Sequence, residues 1–416
     1  MTEENMSRLE ELIQQYCPDG VEYVKLGDFA TQWYRGAGIK KDEISQEGIP
    51  CIRYGEIHTI YKIWFDKCIS HTDEAKQPSK KYADYGDILF AITSEDIPFI
   101  GNSVAYMGKE RIMVGGDIVV MKHTQNPKYI SYALSTIDAV GQKGKGKVKS
   151  KVVHTNVPSL KEIVIPVPPL PVQEEIVRIL DTFTELQAEL QAELQKRKQQ
   201  YNYYRDNLLT NFTTEQNVKE YTLGELGTFT RGNGLQKKDF TKEGIGCIHY
   251  GQIYTRFGVF ADKTLTYVNR ELASHLLQVE KGNLVIACTS ENVEDICKSV
   301  AWLGEENICT GGHACVFRHN QNPKYISYFF QTEYFFNQKK KYTYGTKVKD
   351  IKPDSIAKIK IPLPSLKEQE RIVSILDNLY TLTNDLTAGL PAEIEKRRQQ
   401  YEYYRDKLLT FKRKAA

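Results

Sequence analysis

No stretch of roughly eighteen apolar residues, the length a membrane helix needs, occurs anywhere in the 416 positions of the chain, which excludes a helical span. The opening MTEENMSRLEEL is acidic and polar where a signal peptide would be apolar, so a cytoplasmic address is expected. Cysteine is sparse. Eight residues with no Cys-x-x-Cys pair argue against a zinc ribbon or a disulfide framework. Net charge is only +3, with 56 Lys and Arg against 53 Asp and Glu, so any nucleic-acid role has to rest on local clusters. GQKGKGKV from Gly141 nearly meets the phosphate-loop pattern, but it ends in Val148 where the magnesium-binding hydroxyl belongs.

What the chain does contain is one unit written twice. QNPKYISY begins at Gln125 and again at Gln321, 196 residues later. At that spacing GIPCIRYGEI from Gly48 faces GIGCIHYGQI from Gly244, AITSEDI from Ala91 faces ACTSENV from Ala287, and VGGDIVV from Val114 faces TGGHACV from Thr310. Beyond Asp181 and Asp377 the spacing widens to 200, because KRKQQYNYYRDNLLTNF from Lys196 pairs with KRRQQYEYYRDKLLTFK from Lys396. A chain of this length needs more than one core, and the duplication says that the two are alike. It also settles the cysteines: Cys288, Cys309 and Cys315 face Ile92, Met113 and Val119, so the group Cys309, His313, Cys315 reads as buried free thiols and no metal site is expected.

The expected fold is α/β (α+β): two globular domains of the same fold, separated by two long helices that form an antiparallel coiled coil, with a pseudo-two-fold internal repeat. Residues 1–20 are expected to form a helix packing at the distal end of the bundle. Residues 21–157 and 218–353 form the globular domains, residues 158–171 and 354–366 proline hinges, and residues 172–212 and 367–413 the long helices. GDILFAI from Gly86 and GNLVIAC from Gly282 read as buried strands. QNPKYISY reads as a turn opening a helix. Its Asn-Pro-Lys-Tyr approaches the Asn-Pro-Pro-Tyr of amino-methyltransferases, but lysine replaces the second proline and no glycine-rich S-adenosylmethionine site accompanies it.

The helices carry Ile176, Leu180, Phe183, Leu186, Leu190, Leu194, Tyr201, Tyr204 and Leu208 in one seam. The other seam has Ile372, Leu376, Leu379, Leu382, Leu386, Ile394, Tyr401, Tyr404 and Leu408. Three- and four-residue steps of this kind call for a partner helix, which each copy supplies to the other. Pro391, just after Gly389, is expected to interrupt the second helix.

Candidate binding residues fall into two groups. Lys143, Lys145 and Lys147, with Lys339, Lys340, Lys341 and Lys347, are lysines at matching domain edges and suit phosphate contacts on nucleic acid; a plain solvated loop is the competing reading. Base reading requires hydrogen-bonding side chains on nearby loops. Thr93, Ser94 and Glu95 with Thr289, Ser290, Glu291 and Asn292 qualify, as do Arg53 with Tyr54 and His249 with Tyr250, although turn-forming roles explain several of the same residues. No residue is singled out as catalytic or metal-binding.

GDILFAITS, IPVPPLPVQEEIVRILD, IPLPSLKEQERIVSILD and LIQQYCPDGVEYVKLGD resemble the specificity subunit of type I restriction-modification systems over essentially the whole chain. The resemblance implies two target recognition domains, each binding one half of a bipartite double-stranded DNA target. It implies paired helices that set the spacing and dock two methyltransferase (modification) subunits, and restriction subunits in the full complex. The chain would then be non-catalytic and hold no cofactor, with S-adenosylmethionine, ATP and Mg on partner subunits. The competing reading is a coiled-coil scaffold that binds two protein partners without DNA specificity.

Overall fold

The computed structural model describes residues 3–145, 151–212, 218–384 and 389–415. It divides into two compact units, Met1–Glu189 with Ile394–Ala416 and Leu190–Glu393. In the first unit ILFA becomes the central strand Ile88–Ala91 of a five-stranded sheet, in the order Gln32–Arg35, Ile118–Lys122, Ile88–Ala91, Ser103–Tyr106, Trp64–Phe65. Both faces of that strand are covered, which is why it reads as an unbroken apolar run and does not alternate. Ile88 and Phe90 join a core with Met121, Tyr129 and Leu180, while Leu89 and Ala91 join a second core with Ile52, Val114 and Val120. A second sheet runs Ile44–Ser45, Ser70–Thr72, Ile49–Ile52, Ile112–Val114, Tyr82–Ala83. The second unit repeats the scheme, with Leu284–Ala287 central in the order Gly227–Arg231, Ala314–His319, Leu284–Ala287, Ser299–Trp302, Phe260–Ala261, and a four-stranded sheet beside it.

The repeated octapeptide acts as a fastener. In the first unit Asn126 caps the helix Pro127–Leu134, its side chain accepting from Tyr129 N, and the proline occupies the first turn, where no amide hydrogen is missed. Lys128 Nζ lies 2.6 Å from Asp181 Oδ2 on the long helix and 3.8 Å above the Trp64 ring, and Tyr132 OH donates to Asp181 Oδ1 at 2.8 Å. Gln173 Nε2 donates to Gln125 Oε1 and to Pro168 O, while Tyr129 OH donates to Pro166 O. The second unit has the same bonds: Lys324 and Tyr328 to Asp377 at 2.7 and 2.8 Å, Lys324 above Phe260, Gln369 to Gln321 and Pro364, and Tyr325 to Pro362. Nearly every letter of QNPKYISY is therefore held to a fixed partner, which explains its identity in both copies. Asp181→Ala leaves a lysine and a tyrosine hydroxyl without their shared acceptor, so stability is expected to fall by about 2 kcal/mol in urea denaturation. An unchanged midpoint would remove the fastener from the account.

The long helix is continuous over Leu170–Thr210. In the first unit it meets the C-terminal helix antiparallel: Phe183 stacks on Tyr404 at 5.7 Å, and Gln187 Nε2, further along, donates to Arg397 O, earlier in its partner. The helix Glu3–Tyr16 adds Leu9, Leu12 and Ile13 to the core formed with Val172, Ile176 and Leu408. Residues 411–414 run beside 21–23, with Arg413 over the Tyr23 ring at 4.3 Å. In the second unit Tyr201 packs edge-on against Tyr380.

The second long segment forms two helices, Leu366–Asn384 and Gly389–Leu408. Gly389 has φ +76°, and a Cβ there would lie 2.6 Å from Thr381 O, so the restart is fixed by glycine. Pro391 falls in the first turn, where proline costs no hydrogen bond. Two seam positions depart from expectation, since Tyr204 and Leu382 are exposed, and Leu209 is fully buried beside half-buried Leu208. Leu386 lies outside the described residues. Among the described residues no helix is long and apolar enough to cross a membrane.

Candidate nucleic-acid interface

Three strand ends converge in the first unit to make a cleft of about 450 Å³, lined by Arg35, Gly36, Gly38, Arg53, Tyr54, Gly115, Gly116 and Asp117 among others. Its loops touch backbone to backbone. A Cβ on Gly36 would lie 2.2 Å from Gly115 O, so only glycine allows Ala37 N to donate to Val114 O and Gly115 N to Ile52 O. Arg35 is fixed, its Nε donating to Gly116 O and its outer nitrogen lying 2.7 Å from Asp117 Oδ1. Arg53 is half-buried, and its guanidinium makes no hydrogen bond or salt bridge among the described residues. Tyr54 also lines a second hollow of about 460 Å³, shared with His58, Thr93, Ser94, Glu95 and Phe99.

The second unit builds the same loops with different chemistry. Arg231-Gly232-Asn233-Gly234 replaces Arg35-Gly36-Ala37-Gly38, and a Cβ on Gly232 would meet Gly311 O at 2.4 Å. Arg231 keeps the anchor, Nε to Gly312 O at 3.2 Å, but its outer nitrogens turn to Asp350, at 3.0 and 2.7 Å. The reason is an exchange of residue types: Asp117 and His154 in the first unit stand where His313 and Asp350 stand in the second. The arginine follows the carboxylate. Where His154 Nδ1 pairs with Thr93 Oγ1 at 3.2 Å, Asp350 is taken by Arg231, and Thr289 Oγ1 is left buried without a partner. His249 replaces Arg53; it is buried, its Nδ1 accepts from Gly251 N, and burial lowers its pKa. His313 is exposed and packs against Tyr250 at 4.8 Å.

The family model of the type I restriction modification DNA specificity domain matches this chain twice, over residues 18–197 and 215–396. The chain belongs to that family. The type I restriction enzyme EcoR124I/EcoR124II specificity subunit of Escherichia coli is 34% identical over 291 residues, 68% of this chain and 70% of that protein. A chain solved in work on complex assembly and conformational transition of the type I restriction-modification system shares the fold, with a TM-score of 0.58 at 16% identity over 94% of this chain and 97% of that one. Each unit thus carries one DNA specificity domain, and the loops of Arg231, His249 and His313 in the second stand at the positions that build the cleft of the first.

Several residues expected on exposed loops of these specificity domains lie elsewhere. Thr93, Ser94 and Thr289 are buried and Ser290 is half-buried, because Thr93–Ser94 pairs with Val153–His154 and Thr289–Ser290 with Lys349–Asp350. Thr93 and Ser94 line the second hollow of the first unit, whereas Glu95, Glu291 and Asn292 beyond the paired strands are exposed. His249 is also buried, while Tyr54 and Tyr250 are half-buried. Among the lysines, Lys145, Lys340, Lys341 and Lys347 are exposed, and Lys147 lies outside the described residues.

Lys143 and Lys339 correct the expectation of phosphate contacts. Each ends a helix, Ile137–Gly144 or Glu333–Lys339, one turn after buried Ala139 or Phe335, and so points inward. Lys143 Nζ donates to Leu134 O, and Lys339 Nζ to Glu294 O and Ile296 O. Burial lowers both pKa values, Lys143 to about 7. The unfolded lysine stays protonated to its ordinary 10.5, so the unfolded chain binds the extra proton between about pH 7 and 10.5, and this contribution to stability rises with pH across that window. Lys143→Met is expected to flatten that rise in urea titrations at pH 7 and 9.5 and to leave DNA affinity unchanged. Weaker DNA binding by a folded variant would restore the phosphate role.

The residues missed from sequence are Arg35, Asp117, Arg231, His313 and Asp350. Their signal was present as RGAG and RGNG, each followed at a distance by a repeated Gly-Gly.

Proposed function

We propose that each specificity domain reads one half of a bipartite double-stranded DNA target, and that the long helices set the unread spacing and dock two modification subunits. The carrying observation is a repeated set of loops with exchanged chemistry, Arg53 and Asp117 in the cleft of the first unit and His249 and His313 at the same positions in the second. Two readers of the same sequence need no such differences, whereas two different half-sites require them, because base identity is read by side-chain donors and acceptors. Glu95, in the hollow that shares Tyr54 with the cleft, and exposed Glu291 and Asn292 in the second unit serve as further base-reading groups, with Tyr54 and Tyr250 beside them. Exposed Lys145, Lys340, Lys341 and Lys347 supply sequence-independent phosphate contacts.

In this reading the chain has no catalytic residue and binds no cofactor. S-adenosylmethionine serves the modification subunits, and ATP and Mg serve the restriction subunits. The solved chain that shares this fold comes from work on complex assembly of a type I system, which supports a role within an assembly. A scaffold without DNA specificity gives no account of two DNA specificity domains whose matching loops differ in chemistry. The test is transfer of a labelled methyl group to duplex DNA, expected only when modification subunits are supplied together with the chain. Transfer by the purified chain alone would contradict the assignment.

A further inference from the structure

The cleft of the first unit supports a sharper statement, which rests on the DNA-specificity reading above. Of its two arginines, Arg35 is committed to Gly116 O and Asp117 Oδ1, while the Arg53 guanidinium has no hydrogen-bond or salt-bridge partner among the described residues. Arg35 uses one oxygen of Asp117, and the other makes no hydrogen bond among the described residues. Gly38 is exposed at the lip, and its backbone is not in the left-handed region. A Cβ there would meet nothing within 4 Å, so neither packing nor conformation demands glycine at this position. What a side chain would occupy is the open space of the cleft, the use glycine has where a ligand approaches closely.

We propose that this cleft reads a G·C base pair of the first half-site in the major groove, with the Arg53 guanidinium donating to guanine O6 and N7 and the free Asp117 oxygen accepting from the N4 amine of the paired cytosine. The donor and acceptor pattern favours a base pair over a phosphate. A phosphate has no donor for the free Asp117 oxygen, whereas a G·C edge offers two acceptors beside one donor and matches a fork of donors beside one acceptor. The second unit supplies the contrast. His249 is buried, and with Nδ1 occupied by Gly251 N it has one ring N–H where Arg53 has a fork, while His313 removes the carboxylate. The second domain therefore lacks the donor and acceptor set for this base pair.

The experiment selects bound duplexes from a randomised library with the full chain, comparing wild type, Arg53→His, Arg53→Lys and Gly38→Val. Wild type is expected to specify a G·C pair in the first half-site. Both Arg53 variants should relax that preference by roughly ten- to hundred-fold, since lysine keeps the charge but not the fork, and leave the second half-site intact. Gly38→Val, which has room to fold, should weaken selection at the same position without changing the melting temperature. The proposal is overturned if Arg53→His weakens binding equally on all sequences while Arg53→Lys restores it, which marks a phosphate contact. It is also overturned if no G·C pair is specified there or if the variants select as wild type does. Wild type without any sequence preference would instead remove the DNA-specificity reading, and the proposal with it.

Discussion

Replacing residues 21–156 by the corresponding segment of another type I specificity subunit is expected to change one half of the methylated sequence and leave the other half as it was. The first unit builds its cleft from Arg35, Arg53, Tyr54 and Asp117, all inside the exchanged segment, and the equivalent loops of the second carry Arg231, His249, Tyr250 and His313, all outside it. The graft keeps its full stability only if its fastener is kept. Gln125, Asn126, Lys128, Tyr129 and Tyr132 bond Gln173, Asp181 and the hinge carbonyl of Pro166, which remain host residues. A graft whose own octapeptide differs at Lys128 or Tyr132 is expected to lose about 2 kcal/mol of stability before its specificity can be read. A map with both halves altered would mean that neither domain reads alone.

Inserting a third QAEL after Leu194 is expected to lengthen the unread spacer by about one or two base pairs while both half-sites stay the same. Four residues add roughly 6 Å to a helix and carry it about 40° past a full turn, against about 3.4 Å per base pair of DNA. QAEL already occurs twice from Gln187 within a helix unbroken from Leu170 to Thr210, so a third copy continues an existing pattern. Leu194 is buried and Leu190 half-buried, and a four-residue insertion shifts local winding without erasing the apolar stripe. The offset already widens from 196 to 200 between the copies, a step of the same size. Full activity with an unchanged spacer would show that the helix is not the ruler.

Much of the fold was legible because it was written in apolar period and in repetition. ILFA and LVIA gave central strands, Asn-Pro gave two helix starts, and the leucine steps gave the long helices. The site was less legible, for physical reasons visible at single residues. Lys143 and Lys339 look like surface charge until Thr136 and Thr332 cap the helices before them and turn the lysines inward. Thr93 and Thr289 look like loop hydroxyls until strands some 60 residues later pair with them, a contact that no local pattern announces. The Asp and His exchange across positions 117, 154, 313 and 350 becomes meaningful only once the loops are adjacent, because each arginine chooses its carboxylate in space and not in sequence.

The central claim, that one chain carries two different DNA readers joined by a fixed spacer, is tested most directly by mapping methylated adenines genome-wide in cells with and without this gene. The account predicts a single bipartite motif, two unlike half-sites around an unread stretch of constant length, present with the gene and gone without it. A continuous motif, two identical half-sites, or a methylation pattern that does not depend on the gene would contradict it.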